Sequence, residues 1–473
     1  MEELLKLFDR IVQRVNINLR ELRFDVTPFT KDLFPAKNMN KFYAFYGITP
    51  DHPLALDFHH SALAGSYFLG KCRVTNSVLY KSDVRGDELK RKDQIFKFDN
   101  FDIPLTRDET IIIDDSALIK TLVHNFSHDP ETPEIFFIKD TLAMDYSNIH
   151  GAPSDGCFLG PFATVDLTTM RDCAIGAYSY IQAGEIYHLQ IDPGTVWLNS
   201  PRHFNFLYTY PADQLSRYIS LSPDNAPEGS LCNFIKNYQD AFEKIFDAGS
   251  LEAIESVPAS ASLDRYAVVL PTIKIEENVL VAQRAYLENS FLGRGTNAQE
   301  NCFIIDSHLS SFNVTAHGAK LIRAHLGSGV FTGFNSFIHG KKYAPVTIGH
   351  GSIIMPHTII DINKPLEIPD NYLVWGLIRN RKELMENSIS LDELKKVETS
   401  FSRGRMHFEG KGAVFVKAFQ NRIHHILDVN GAFFDNGKNA GHAQKNQNLS
   451  LNTIQPFQFG RKEGMYPSIR IKP

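Results

Sequence analysis

Histidine is concentrated in one stretch of this 473-residue chain. Among common side chains, it is the one best suited to proton transfer at neutral pH. Six of the 18 histidines fall within 50 consecutive residues: His308, His317, His325, His339, His350 and His357. Such an imidazole can act as a general base or bind a metal ion. This stretch is therefore the first candidate for a functional site.

Three of these histidines and one asparagine are the candidate catalytic residues. His317 is flanked by alanine and glycine, so its ring can stand clear of the backbone, and we select it first as a base. His339 opens a short charged loop. Asn335 and His357 hold equivalent places in successive repeats, so we expect them one strand spacing apart, roughly 5 Å. For each histidine the alternative is a solvated corner residue or a member of a stacked ladder.

A six-residue period in the apolar side chains organises the same stretch. This period fits neither an amphipathic helix, at 3.6 residues, nor an alternating strand, at 2. It predicts short strands joined by corners, with one inward residue per face and stacked coils that share a narrow core. The predicted inward residues include Leu326, Thr332, Ile338, Ile348, Ile354 and Ile360.

Weaker repeats and two helical patterns extend this interpretation to the rest of the chain. Aliphatic-then-glycine repeats recur around Leu159 and Ile175, and apolar residues at helical spacing occupy residues 230–256. A second helical stretch is expected after Arg379. The predicted segments are an N-terminal helical or irregular region 1–58, a first β-helical part with long loops 59–212, a helical insertion 213–262, a C-terminal hexapeptide-repeat β-helix 263–379, and a C-terminal helix and irregular tail 380–473.

Composition argues against several classes of protein. The net charge of −5 with interspersed signs argues against a nucleic-acid partner. Five scattered cysteines without a C-x-x-C pair argue against a disulfide framework or a structural zinc site. The N-terminal residues lack the apolar core of a signal peptide, and no apolar run approaches the roughly 18 residues of a membrane span. We therefore expect a cytoplasmic protein with no membrane partner.

Two segments resemble the hexapeptide-repeat superfamily, whose members are mostly acyl- and acetyltransferases. They are the repeat run 280–360 and the segment 368–384, which is similar to the piece that closes such solenoids. The resemblance implies a mainly β fold, a left-handed parallel β-helix with a helical insertion and helical termini. General principles alone favour right-handed parallel crossovers. It also implies a homotrimer with active sites in clefts between subunits.

The same resemblance implies an acyl-CoA-dependent acyltransferase. The donor would be acetyl-CoA in the first instance, the acceptor a small sugar-like molecule or amine, and the base a histidine on a coil. The residues placed near the CoA are Gly333, Gly349, Trp375 and Gly376. Where the family usually has Gly-x-Pro-Ala, this chain reads Gly376-Leu377-Ile378. No metal is expected.

Two other functions stay open at this point. Some hexapeptide proteins resemble γ-class carbonic anhydrases, whose histidines hold a metal ion and a water molecule. Here His350 and His357 are seven residues apart, whereas the corresponding histidines of that class are five apart. The other alternative is a non-catalytic trimeric scaffold or binding module, which the helical insertion and the altered closing segment favour.

Overall fold

The computed structural model describes residues 2–35, 39, 43–48, 54–98, 100–125, 127–248, 257–454 and 466–472. The chain forms two units. The first comprises Met1–Thr195, Ala212–Asn233 and Leu449–Pro473, and the second comprises Val196–Pro211 and Phe234–Asn448. Each unit contains a parallel β-helix with three faces, so the mainly β, repeat-built fold expected from the sequence is confirmed.

The faces of the second β-helix are three parallel sheets of very short strands. Its first face contains Ser262–Leu263, Leu280–Val281, Asn297–Ala298, Val314–Thr315, Phe331–Thr332, Ile353–Ile354 and Tyr372–Val374, with antiparallel Ser388–Ser390 at one edge. Its second face contains Val268–Val269, Tyr286–Glu288, Phe303–Ile305, Lys320–Ile322, Phe337–His339, Ile359–Asp361 and Leu377–Ile378. Its third face contains Lys274–Ile275, Phe291–Leu292, His308–Leu309, Ala324–Leu326, Val346–Ile348 and Leu366–Ile368.

The core of the second β-helix follows the six-residue period. Ile348, Ile354 and Ile360 lie on the third, first and second faces of one coil, and all three are buried in a single apolar core. Leu326, Thr332 and Ile338 are buried one coil earlier, at the positions that pair with these isoleucines. Full burial of such an aliphatic side chain stabilises the fold by about 1.5–3 kcal/mol. Stacked coils bury many such side chains in one core, whereas a single coil would bury too few to be stable.

The corners of this β-helix use left-handed backbone conformations. Between the first and second faces, Asn301, Gly318, Asn335 and His357 have φ values of 58°, 71°, 50° and 58°. Asparagine and glycine tolerate this conformation better than most residues. A side chain that leaves the coil at this corner projects away from the core, so the corners are where functional groups can collect.

Two helices cover the outer surface of the second β-helix. Helix α3, Ser230–Ala248, places Phe234 and Tyr238 against Phe303, at centroid distances of 5.2 and 5.7 Å. The predicted helical period is thereby confirmed for residues 230–248. Residues 249–256 of the predicted stretch, and the side chains of residues 243–248, lie outside the described part. Helix α6, Gly412–Val429, brings Phe419 to 6.5 Å from Phe331 on the first face.

The segment after Arg379 differs from the expected continuous helix. It forms two short helices, α4 (Arg381–Glu386) and α5 (Leu391–Leu394), with the strand Ser388–Ser390 between them. This strand pairs antiparallel with Tyr372–Val374. Its backbone N–H and C=O groups form hydrogen bonds with that edge strand and therefore do not continue a helix. The prediction of one helical stretch here was therefore wrong, and the long C-terminal helix is α6.

The first β-helix has the same three-faced design. Its first face contains Ala44–Ile48, Ser66–Leu69, Asp83–Arg85, Leu122–His124, Asn148–His150, Thr164–Asp166 and Tyr180–Gln182. Its second face contains Ala55–Ser61, Lys71–Thr75, Thr110–Asp114, Ile135–Lys139, Ser154–Asp155, Thr168–Arg171 and Gly184–Tyr187. Its third face contains Val78–Tyr80, Ala117–Ile119, Leu142–Ala143, Phe158–Leu159, Ala174–Ile175 and Gln190–Ile191. The hairpin Ile95–Phe98 and Phe101–Pro104 leaves the solenoid as an inserted loop.

Both ends of the chain contribute to the first unit. Helix α1, Glu2–Leu19, packs a stripe of aliphatic residues on the outer side of the third face, against residues such as Val78 and Ile119. Near the other end, Ser450–Ile454 and Tyr466–Ile471 pair antiparallel with Ala44–Ile48 and Ala55–Ser61. These pairings cover the open edges of the first two strands.

The remaining elements are short. The other α-helices are α2 (Ala212–Leu215) and α7 (His442–Lys445), and the 3₁₀ helices are Arg20–Leu22, Thr27–Phe29 and Asn446–Asn448. Thr195–Ser200, Phe204–Thr209, Met406–Gly410 and Ser400–Arg403 are hydrogen-bonded in that order. Among the described residues, no helix is both long and apolar enough to span a membrane.

Candidate functional site

Polar side chains are stacked at the corner between the first and second faces of the second β-helix. We call this the His317 corner, made of residues 282–285, 299–302, 316–319, 333–336 and 355–358. Gln283, Glu300, His317 and Phe334 occupy the same place in four successive coils, 17 residues apart, and all four are buried. Buried polar groups of this kind are costly unless they are paired or bind a ligand.

A close contact between two side chains at the corner joins His317 to Glu300. Nδ1 of His317 lies 2.6 Å from Oε2 of Glu300, and the residues are only 5% and 4% exposed. On the other side of the ring, Phe334 lies at a centroid distance of 5.2 Å. The Glu300 carboxylate therefore places its negative charge directly against the imidazole ring, in a site with little access to water.

Asn335 and His357 lie in the same corner, at the next position along the coil. The amide N–H of Asn335 donates to the carbonyl oxygen of His317 at 3.0 Å, and that of His357 donates to Phe334 at 2.7 Å. The hydroxyl of Tyr210 donates to the carbonyl oxygen of His357 at 2.6 Å. Both side chains are buried. The structure thus brings three of the four candidate catalytic residues to one corner.

Gly318 makes the close approach of Asn335 possible. A Cβ at position 318 would lie 2.3 Å from Oδ1 of Asn335, and the φ of +71° is unfavourable for other residues. Buried Lys320 lies just beyond, at the start of a strand of the second face, and its ammonium group donates to the carbonyl oxygen of Gly318. A buried lysine amine therefore borders the corner that holds the Glu300 carboxylate.

His339 belongs to a different, partly exposed network. It is the last residue of the strand Phe337–His339 on the second face, and its Nδ1 lies 3.0 Å from Oδ1 of Asp361 and 3.0 Å from Nζ of Lys341. Burial alone would raise the pKa of Asp361, but hydrogen bonds from His339 and Lys341 lower it below its usual value. This arrangement is a charged surface cluster at the end of a strand and not part of the His317 corner.

The other three histidines of the stretch lie elsewhere. His308 and His325 are exposed on the third face, where His308 stacks on Phe291 at 4.6 Å. His350 is exposed at the corner that follows the third face, and its Nδ1 accepts a hydrogen bond from the amide of Ser328 at 2.9 Å. His350 and His357 therefore lie at different corners of the same coil.

The residues suggested for CoA binding have packing roles in the structure. A Cβ at Gly333 or Gly349 would lie 2.4 Å from a backbone nitrogen of the next coil. Trp375 is buried, and its ring meets Phe206 edge to face at 6.1 Å. Gly376 has a φ of +73°, and a Cβ there would lie 2.5 Å from the ring of Tyr208. Gly333, Trp375 and Gly376 share the corner of His317, whereas Gly349 follows the third face.

Sequence reasoning missed Glu300 and Lys320. A usable signal exists for Glu300, because it precedes His317 by 17 residues, which is one full coil. Residues one coil apart at the same corner position become neighbours in space. No comparable signal marks Lys320, since its burial depends on the packing of the second face.

Comparisons with known proteins agree with the repeat architecture. The family model described as "Hexapeptide repeat including loop" matches residues 101–223. A crystal structure of a candidate acetyltransferase from Desulfovibrio desulfuricans G20 is 49% identical, with a TM-score of 0.92, and the match covers 100% of this chain and 99% of that one. No curated protein gives a significant match.

More distant structures match only in part. A GDP-perosamine N-acetyltransferase variant from Caulobacter crescentus, bound to CoA and GDP-perosamine, is 18% identical over 24% of this chain and 52% of that chain, with a TM-score of 0.11. UDP-N-acetylglucosamine acyltransferase from Campylobacter jejuni is 13% identical over 63% of this chain and 94% of that chain, with a TM-score of 0.16. At these scores neither likeness carries an argument about the site.

Proposed function

This chain belongs to the hexapeptide-repeat acyltransferase superfamily, and we propose that it transfers an acyl group from acyl-CoA to a small acceptor, with His317 as the general base. The observation that carries the proposal is the buried contact of 2.6 Å between His317 and Glu300. We take acetyl-CoA as the donor and an amino or hydroxyl group of a sugar-like molecule as the acceptor. The candidate acetyltransferase from Desulfovibrio supports the acetyl donor.

The chemistry assigned to His317 follows from its neighbours. Nε2 removes a proton from the acceptor while the acceptor nitrogen or oxygen forms a bond to the thioester carbon. The carbon–sulfur bond then breaks, and the proton held by His317 passes to the departing thiolate. Glu300 stabilises the imidazolium that exists between these steps, because an opposite charge in a shielded site favours the protonated ring.

The side chain of Asn335 is assigned one of two roles: it donates a hydrogen bond to the developing oxyanion, or it orients the base. A preorganised amide donor in a shielded site can stabilise negative charge on the substrate carbonyl oxygen. Its place beside His317 supports this role, because the backbone hydrogen bond between the two residues fixes their separation. Gly333, Trp375 and Gly376 at the same corner, with Gly349, are the proposed CoA-binding residues. His339 and His357 are the alternative bases.

The proposed setting is a cytoplasmic homotrimer that acts on small molecules. The repeat architecture supports association, since stacked short strands leave sheet surfaces that other copies can cover. Neither a nucleic-acid nor a membrane partner is part of the proposal.

The activity is tested by thiol release from acetyl-CoA with a panel of amino sugars and their hydroxyl analogues. We expect turnover with at least one acceptor, and a loss of about 10²- to 10⁴-fold in kcat for His317→Ala, the usual contribution of a general base. His308→Ala is the matched control, because His308 is exposed on the third face. Full activity of His317→Ala would remove it as the base, and no thiol release with any acceptor would contradict the activity.

A further inference from the structure

An antiparallel hairpin of the second unit carries a serine, a histidine and a glutamate that are hydrogen-bonded in a row. Its strands are Ser400–Arg403 and Met406–Gly410. Oγ of Ser402 lies 2.7 Å from Nδ1 of His407, and Nε2 of His407 lies 2.9 Å from Oε1 of Glu409. We call these three residues the Ser402 triad. The proposed acyl transfer uses none of them.

The register of the hairpin brings the triad to one side of the sheet. Ser402 and His407 are directly opposite each other on the two strands, and Glu409 follows His407 by two residues, a spacing that keeps both side chains on the same side. Met406 and Phe408 are buried on the other side. Ser402 is exposed, and the side chains of His407 and Glu409 are 45% and 60% exposed. A substrate from solution can therefore reach the serine.

The two hydrogen bonds set the direction of proton transfer. An ionised carboxylate can only accept hydrogen bonds. Glu409 therefore favours the neutral tautomer of His407 that carries hydrogen on Nε2, and Nδ1 then accepts a hydrogen bond from the hydroxyl group of Ser402. A serine hydroxyl becomes a nucleophile when an adjacent base takes its proton and a third group orients that base. The three side chains stand in this relation.

An apolar side chain borders the triad. Leu207, on the neighbouring strand Phe204–Thr209, is directly opposite His407 and is 37% exposed. Side chains in such opposed positions have Cβ atoms roughly 4.5–5.5 Å apart. Leu207 therefore offers an apolar surface next to the base, which suits a substrate with a small hydrocarbon group.

We propose that the Ser402 triad hydrolyses small carboxylic esters with an apolar acyl group, a reaction separate from the acyl transfer assigned to His317. Oγ of Ser402 forms a bond to the ester carbonyl carbon while its proton passes to Nδ1 of His407. The carbon–oxygen bond to the alcohol then breaks, and the alcohol leaves with that proton. Water attacks the acyl-serine and gives a proton to His407, which returns it to Ser402 as the carboxylic acid departs.

The exposure of the triad limits the expected rate. Water reaches the oxyanion that forms on the substrate, and it stabilises this charge less than preorganised donors in a shielded site do. We therefore expect slow turnover, seen with activated esters such as p-nitrophenyl butyrate. Ser402 and His407 are the catalytic residues, and Glu409 is a positioning residue that acts through His407.

The test is hydrolysis of p-nitrophenyl butyrate by the full chain, together with covalent labelling by a fluorophosphonate probe that mass spectrometry locates. We expect one label per chain, on Ser402, and loss of the label in Ser402→Ala. His407→Ala should slow labelling and hydrolysis by about 10²- to 10⁴-fold, the usual contribution of a general base. Glu409→Gln should lower kcat and leave KM unchanged, a result that a purely structural role in the hairpin would not produce.

Two controls separate the triad from general reactivity of surface serines. Ser400→Ala removes another exposed serine of the same strand and should change neither the label nor the rate. Denatured wild-type protein should not be labelled, because the triad forms only when the hairpin is paired. Labelling of the native wild-type protein does not depend on the folding of any variant. A native wild-type chain without a label on Ser402, or a Ser402→Ala variant that hydrolyses the ester as fast as the wild type does, would overturn the proposal.

Discussion

Glu300→Gln tests the proposed mechanism most directly, because it changes the charge at the His317 corner and little else. Glutamine has the shape of glutamate, and the original contact of 2.6 Å joins two side chains that are 4% and 5% exposed. Water therefore has little access to compensate for the lost charge. The fold should tolerate the change, whereas the imidazolium formed during proton transfer loses its counter-ion.

Two effects set the expected size of the change. Replacing a charge-assisted contact with a neutral one costs about 1 kcal/mol, which is roughly a factor of five to ten in rate. The glutamine amide can also donate to Nδ1 and thereby move the ring hydrogen to Nε2, where it blocks the base. Loss of the correct tautomer has cost about 10⁴-fold in another His–carboxylate enzyme. We expect kcat to fall by about 10-fold if only the charge matters and by up to about 10⁴-fold if the tautomer also changes.

The assay is the initial rate of thiol release, measured from pH 6 to 9 with the acceptor that the panel identifies. Glu367→Gln is the control, since Glu367 is exposed on the third face and its loss of charge should leave kcat unchanged. A Glu300→Gln enzyme that stays within twofold of the wild type at every pH would refute the assigned role of Glu300 and the tautomer argument with it.

Two further predictions concern stability. Thr332 lies in the apolar core, and its hydroxyl has no hydrogen-bond partner among the described residues. Thr332→Val should therefore raise the free energy of unfolding by about 1–3 kcal/mol, and each kcal/mol raises Tm by roughly 2–4 °C. The control, Thr347→Val at an exposed position, should leave Tm unchanged. A lower Tm for Thr332→Val would contradict this prediction. The pKa of Asp361 is depressed in the folded state, so its ion pairs stabilise the protein above about pH 4, the ordinary value for the unfolded chain. Asp361→Asn should lower Tm at pH 7, with a difference from wild type that shrinks in thermal scans as the pH falls through the folded pKa; a difference that does not change with pH would argue against this source of stability.

The second β-helix could be predicted closely from the sequence. Its period is clear because inward positions keep aliphatic side chains, as Ile348, Ile354 and Ile360 do, and because each coil spans close to three hexads. The chemistry of a corner was harder to predict. His317 stood out by residue type, but Glu300 becomes its neighbour only when the coil length of 17 residues is known.

The first β-helix gave a weaker signal for physical reasons. Its corners hold bulky residues such as Phe162 and Tyr178 in left-handed conformations, where a glycine or asparagine would have marked the turn. The pairing of Ser450–Ile454 with Ala44–Ile48 leaves no local trace in either segment, because it joins residues some 400 positions apart. Such long-range pairings are fixed by the finished fold and not by local preference.

The two antiparallel strands near the C-terminus have a consequence for biosynthesis. A ribosome releases Ala44–Ile48 and Ala55–Ser61 hundreds of residues before their partners, Ser450–Ile454 and Tyr466–Ile471. Until then the nascent chain presents two unpaired strand edges, the kind of surface through which chains aggregate. A chain that terminates after residue 448 would keep both strand edges unpaired. We therefore expect cellular quality control to recognise such truncated products even when most of the molecule has folded.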